Sequence, residues 1–126
     1  MGLTHPDVEL SNRAKPLLKP VKVRALVDTG AVMMCIPEHI VVQLELDEIE
    51  KQEVATAYEK RHVVSHAGPT LIRFENRRCI SGAYVIGNEV LLGAVPMEVT
   101  DVVLSPSGET TMVNPESPNI PSAIVK

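Results

Sequence analysis

Tryptophan is absent from this chain of 126 residues, and one phenylalanine and two tyrosines make up its aromatic content. Phe74, Tyr58 and Tyr84 are too few and too scattered to form the stacking platforms on which single-stranded nucleic acid lies. The basic residues, Lys15, Lys22, Arg61 and Arg78 among them, are dispersed, and the formal net charge of −4 disfavours a polyanion. RNA-binding and zinc-finger motifs are missing. These absences argue against nucleic acid as the main partner.

Cysteine is scarce too. Cys35 and Cys79 lie in apolar contexts and form no C-x-x-C pair, so both read as reduced, buried small hydrophobes. No apolar run approaches the ~18 residues of a spanning helix. Residues 1–11 are polar and acidic, without the apolar stretch of a secretory signal. The expectation is a cytoplasmic protein with no membrane partner. Neither a G-x-G-x-x-G nor a Walker loop occurs, so nothing points to a nucleotide.

What is present reads as short strands. A hydrophobic content of 44% supports one domain with its own core. Val8 and Leu10 alternate with polar neighbours, and residues 21–27 begin as an alternating strand and end fully apolar. Residues 31–36 read as buried strand. Pro37 then suits the first position of a short helix with Ile40, Val41 and Leu44 on one face. That helix is expected to end in the acidic stretch 45–50. Strand signals follow around Val54, at Val63-Val64 after a charged turn, and at residues 70–75 and 79–86. Gly87-Asn88 predicts a hairpin between two apolar runs. Residues 90–93, 102–104 and 110–113 complete the series, the last two joined by a turn around Pro106-Ser107-Gly108. This pattern predicts an all-β barrel or sandwich with one short helix. The tail, residues 114–126, carries Pro115, Pro118 and Pro121 and reads as an extended arm or a loose end.

Asp28-Thr29-Gly30 stands at the end of one apolar strand and before another. The tripeptide alone is common and also fits a plain turn capped by Asp28. Its position is more telling, because a carboxylate carried into an apolar β-rich centre is expensive unless it has a partner or a task.

The run Ala25-Leu26-Val27-Asp28-Thr29-Gly30-Ala31 resembles the active-site motif of retropepsin-like aspartic proteases. A second mark of that family is two large apolar residues followed by glycine late in the chain, and Leu91-Leu92-Gly93 stands where it is expected, with a short helix or turn beginning at Ala94. Cys35-Ile36-Pro37-Glu38-His39 and Asn114-Pro115-Glu116-Ser117-Pro118 further resemble small stand-alone bacterial members. The resemblance covers about residues 21–113, and it implies a closed retropepsin-like acid-protease barrel over residues 1–113 with a separate tail.

The chemistry so implied needs two carboxylates sharing a proton, one activating water and the other hydrogen-bonding the scissile carbonyl. The chain supplies one. No second Asp-Thr/Ser-Gly occurs, since Asp47 sits in an acidic stretch and Asp101 precedes Val102-Val103. A two-fold homodimer would supply the other copy of Asp28.

The remaining roles also come from the resemblance. Thr29 would brace the two catalytic loops across the dimer, and Gly30 would offer its N–H to the carboxylates. Ala31, Leu92 and Gly93 would support the loop. Ala31 has no hydroxyl to stabilise an ionised carboxylate beside it, which favours activity at mildly acid to neutral pH. Tyr58, Glu59, Lys60, Arg61 and His62 fall where the family has its substrate-covering flap, although the family's flap glycines are missing and the nearest is Gly68. Val32, Ile86 and Val95 are expected at apolar subsites. The family also pairs its termini across the dimer, a pairing that the tail prolines would weaken.

His62 and His66, and Cys35 and His39, are spaced four apart as helical metal ligands are. Pro37 interrupts one pair and a hairpin carries the other, so no metal or cofactor is expected. Cys35 with His39 lacks an orienting third group for nucleophilic catalysis. The expectation is an aspartic endopeptidase whose partners are a second copy and a peptide or protein substrate. The alternative is a catalytically silent dimerisation or peptide-binding domain on the same fold.

Overall fold

The computed structural model describes residues 4–28, 30–55, 60–105 and 110–123. Strand β1 (Asp7–Asn12) pairs antiparallel with β2 (Val21–Val27), and β2 runs parallel to β7 (Val90–Leu92). The sheet continues through β3 (Met34–Ile36) and β6 (Arg77–Val85) to β5 (Arg61–Phe74). β5 pairs back onto β1, with Leu10 opposite Ile72, and so closes a six-strand barrel. The fold is all-β, as the sequence predicts. β4 (Asp47–Ala55) lies outside the barrel, paired with β5, and β8 (Val102–Leu104) with β9 (Thr111–Val113) forms a separate two-stranded sheet.

Alternation along the strands fills the interior. Val8 and Leu10 from β1, Ala25 from β2, Met34 and Ile36 from β3, and Ile72 from β5 are all buried in one cluster. A second cluster joins Val27 to Met97 and Val102, directly behind the end of β2. Burying a side chain of this size contributes roughly 1.5–3 kcal/mol, so these contacts fix where β2 ends.

Two short helices interrupt the strands. α1 (Glu38–Gln43) has Pro37 as its N-cap and buries Ile40, as its apolar spacing predicts. It stops sooner than the acidic stretch suggests. Glu45 turns left-handed (φ 51°), Glu45 N–H donates to the Val42 carbonyl and Leu46 N–H to that of Val41. This paired C-terminal cap sends the chain straight into β4, so residues 47–50 are strand and not helix end. Buried Asn12 holds the corner by donating to the carbonyls of Leu44 (2.9 Å) and Glu45 (3.0 Å). α2 (Ala94–Thr100) follows β7 at the helix or turn expected there.

Three further expectations need correction. Residues 31–33 are bends, and strand β3 begins only at Met34. Gly87-Asn88 is not a hairpin, because β6 and β7 are separated by β3, which runs parallel to β6 and antiparallel to β7. β5 is also one long strand where two pieces were expected. Gly68 and Pro69 sit within a register shift between Ala67 and Thr70, and a bulge of this kind tolerates the missing proline donor. The expected turn at Pro106-Ser107-Gly108 lies outside the described residues, between β8 and β9.

Candidate active site

β2 delivers Asp28 to the surface. Val27 faces the core and the following residue faces out, so the Asp28 side chain is exposed and is not carried into an apolar centre as its sequence position suggests. Its Oδ1 accepts a hydrogen bond from the Gly30 N–H at 3.0 Å, a geometry that a plain turn capped by Asp28 shares, and the Ala31 N–H donates to the Asp28 carbonyl at 3.1 Å. Thr29 lies outside the described residues.

The loop is clamped to the β7–α2 junction by three backbone hydrogen bonds. Asp28 N–H donates to the Leu92 carbonyl (3.0 Å), Ala94 N–H to that of Ala31 (2.8 Å) and Val95 N–H to that of Val32 (2.9 Å). Gly93 makes this approach possible. A Cβ there would stand 2.4 Å from the Met33 carbonyl oxygen and 2.7 Å from that of Ala31. The two marks read from the sequence, Asp28-Thr29-Gly30 and Leu91-Leu92-Gly93, thus meet in space.

Asp28 opens onto a cavity of about 690 Å³ whose walls include Val32, Ile86 and Leu91. Val54 and Ala55 line it too, from a hairpin of β4 and β5 that projects beyond the barrel with Ala55 opposite Arg61 and Val54 opposite His62. The segment that the resemblance assigns to a flap falls at the end of this hairpin, whose residues 56–59 lie outside the described residues. Of the flap residues named from the sequence, Lys60, Arg61 and His62 are exposed at its described end, whereas Tyr58 and Glu59 lie outside the described residues. Val32 and Ile86 reach the cavity, whereas Val95, on α2 and bonded through its N–H to the Val32 carbonyl, is not among the residues that line it.

Sequence reasoning did not place Cys35 and Tyr84 at this cavity. Both line it, because Cys35 is opposite Tyr84 in one direction and Leu91 in the other. Burial pushes the Cys35 thiol up, and the nearby Asp28 carboxylate adds to the shift. The thiol is therefore protonated at neutral pH and a poor nucleophile. His39 is exposed on α1. His62 and His66 share one face of β5, where a spacing of four spans roughly 13 Å, too far to share an ion. The His66 ring packs against Tyr84 with centroids 5.3 Å apart.

A depression of similar volume lies on the outer face of β1, β2 and β5. Its carboxylates and cations face each other across the strands, Asp7 opposite Arg24 and Glu9 opposite Lys22. It is a solvated charge ladder without converging catalytic groups.

A second polar cluster lies at the end of α2. Asp101 ends that helix in the left-handed region (φ 54°), and its carboxylate accepts the Asn114 amide (3.0 Å), the Ser117 hydroxyl and the Ser122 N–H (2.8 Å). These bonds, the Ser117 one foremost, hold the Asp101 carboxyl down at about 2. Fully buried Arg77 donates to the Ser117 carbonyl, and Asn76 to that of Pro118 at 2.9 Å. The described part of the tail is thereby tied to the body of the same chain.

No family model matches this chain, and no curated protein matches its sequence. Among solved structures it is similar to the protease of simian foamy virus from macaque, at 17% identity and a TM-score of 0.47, over 72% of this chain and 90% of that one. It is also similar to the protease–reverse transcriptase of prototype foamy virus, at 18% identity and a TM-score of 0.45, over 74% of this chain and 11% of that one. A Legionella pneumophila protein of unknown function follows at 14% identity and a TM-score of 0.39, over 77% and 88% of the two chains. At these identities none of the three lends a residue role to this chain. Among the described residues no helix is long and apolar enough to cross a membrane.

Proposed function

We propose that the chain is one protomer of a homodimeric aspartic endopeptidase, with Asp28 as its half of the catalytic pair. One observation carries the reading. An exposed carboxylate lines a largely apolar cavity, on a loop joined by three backbone hydrogen bonds to a turn about sixty residues further along. A rigid loop keeps a reacting group in place without reorganisation, which is where much catalytic power lies.

In the proposed reaction, two copies of Asp28 face each other across a two-fold axis and share one proton. The ionised carboxylate takes a proton from a water molecule, and the water oxygen adds to the scissile carbonyl carbon. The protonated carboxyl donates to the carbonyl oxygen, giving a gem-diol. Proton return to the amide nitrogen then breaks the C–N bond and releases amine and acid. Val54 and Ala55 would lie over an extended peptide, bound largely through its backbone.

The test is cleavage of a diverse peptide mixture by wild type and Asp28→Asn from about pH 4 to pH 8, read by mass spectrometry. Cutting by wild type alone, strongest at mildly acid to neutral pH, supports the proposal. Equal cutting by both removes Asp28 from the chemistry. A folded dimer that cuts nothing favours the silent peptide-binding domain.

A further inference from the structure

In the family the sequence resembles, termini pair across the dimer. Here the described termini are engaged within one protomer. The carbonyls of Thr4 and Pro6 accept from Val27 N–H (3.1 Å) and Ala25 N–H (2.9 Å), beside β2. The Thr4 hydroxyl meets that of Thr111 at 3.2 Å. β8 and β9 pair with each other, and Asp101, Arg77 and Asn76 hold residues 114–122. These described segments are bonded within one chain, and exposed apolar surface beside the catalytic loop lies elsewhere.

From these positions we infer that the second copy docks on an apolar strip running from the catalytic loop along α2 to β8. The inference rests on the reading that two Asp28 carboxylates meet. Val32, directly after the loop, is 64% exposed, and its carbonyl is bonded to Val95 on α2. Val95 and Val99 are four apart on one side of that helix and are 37% and 51% exposed. Val99 borders a concavity of about 560 Å³ floored by buried Met97 and Val102, with Val103 beside them and the carboxylates of Glu98 and Asp101 also lining it, and Leu104 on β8 is 42% exposed.

Three observations favour a copy of the same chain as the occupant. The strip begins at the residues that the second Asp28 has to reach. The proposed site is incomplete without that copy. A two-fold axis beside Asp28 would also lay like against like, and a self-complementary interface can be built from a single apolar strip. Val42 on α1 is equally apolar and 68% exposed, but lies on another element, so it provides the control.

Sedimentation equilibrium on wild type, Val99→Asp, Val95→Asp and Val42→Asp tests the inference, with circular dichroism as the check on folding. Wild type and Val42→Asp should dimerise alike. Each aspartate on the strip should weaken dimerisation at least about tenfold, because an unpaired carboxylate is left in a dry interface. Peptide cleavage by those two variants should recover as protein concentration rises. If wild type dimerises and both folded strip variants do so equally well, the surface is wrong while the paired-Asp28 reading stands. If wild type stays monomeric at every concentration, that reading fails and the strip loses its occupant with it. Two variants on separate turns guard against one failing to fold.

Discussion

The N–H of Asp28 donates to the carbonyl of Leu92 at 3.0 Å, so the candidate catalytic residue is seated by the strand next to its own. β2 and β7 run parallel with Val27 opposite Leu92, and this bond extends their ladder by one step. Asp28 thus inherits the rigidity of a sheet although it stands in a loop.

Gly93 sets the clearance for that arrangement. Gly93→Ala would drive a Cβ against the carbonyls of Met33 and Ala31. The expected result is a loss of about 1–3 kcal/mol of stability in urea unfolding, as for other overpacked sites. Peptide cleavage should fall further than stability alone explains, because the clash lies against the catalytic loop. Unchanged melting and cleavage would show that the two turns do not meet this closely.

Cys35 offers a reading of Asp28 independent of any activity. Burial is the larger cause of its raised thiol value and the Asp28 charge the smaller. Asp28→Asn should therefore speed alkylation of Cys35 by iodoacetamide near pH 8. Cys79, raised by burial alone, should not respond. Equal rates at Cys35 in both proteins would place the carboxylate away from the thiol.

Asp101 makes the fold sensitive to acid. Its folded value of about 2 lies below its ordinary 3.8, so the carboxylate stabilises the fold above the ordinary value. That contribution is lost as pH falls from about 4 to about 2. Asp101→Asn keeps a residue that tolerates the left-handed backbone and removes the charge. Its Tm at pH 7 should be lower than wild type, and the two curves should converge over that acid window. Hydrogen exchange should speed up in residues 114–123. Parallel Tm curves throughout would detach the tail from this carboxylate.

The strands around the site were legible because local pattern governs them: residues 21–27 alternate and then turn apolar, and β2 covers that span. The meeting of Asp28 with Leu92-Gly93 was legible only through resemblance, since no local rule pairs distant segments in parallel. The same gap explains Gly87-Asn88. A Gly-Asn step between apolar runs marks a turn, but it does not say that β3 will slip between the two strands. The acidic stretch misled for another reason. β4 has one neighbour and is exposed along most of its length, so burial imposes little alternation on it. Arg77 gave no sign at all, because a charged side chain reads as surface until the tail that covers it is in place.

The Leu92–Asp28 bond also bears on how a peptidase of this kind would come into being. During synthesis the segment carrying Asp28 leaves the ribosome long before the turn that seats it. Until Leu92, Gly93 and the first turn of α2 have emerged, the carboxylate has no fixed direction, and a nascent chain poses no threat to the polypeptides around it. The residue that would cut thus emerges about sixty residues before the support that would arm it.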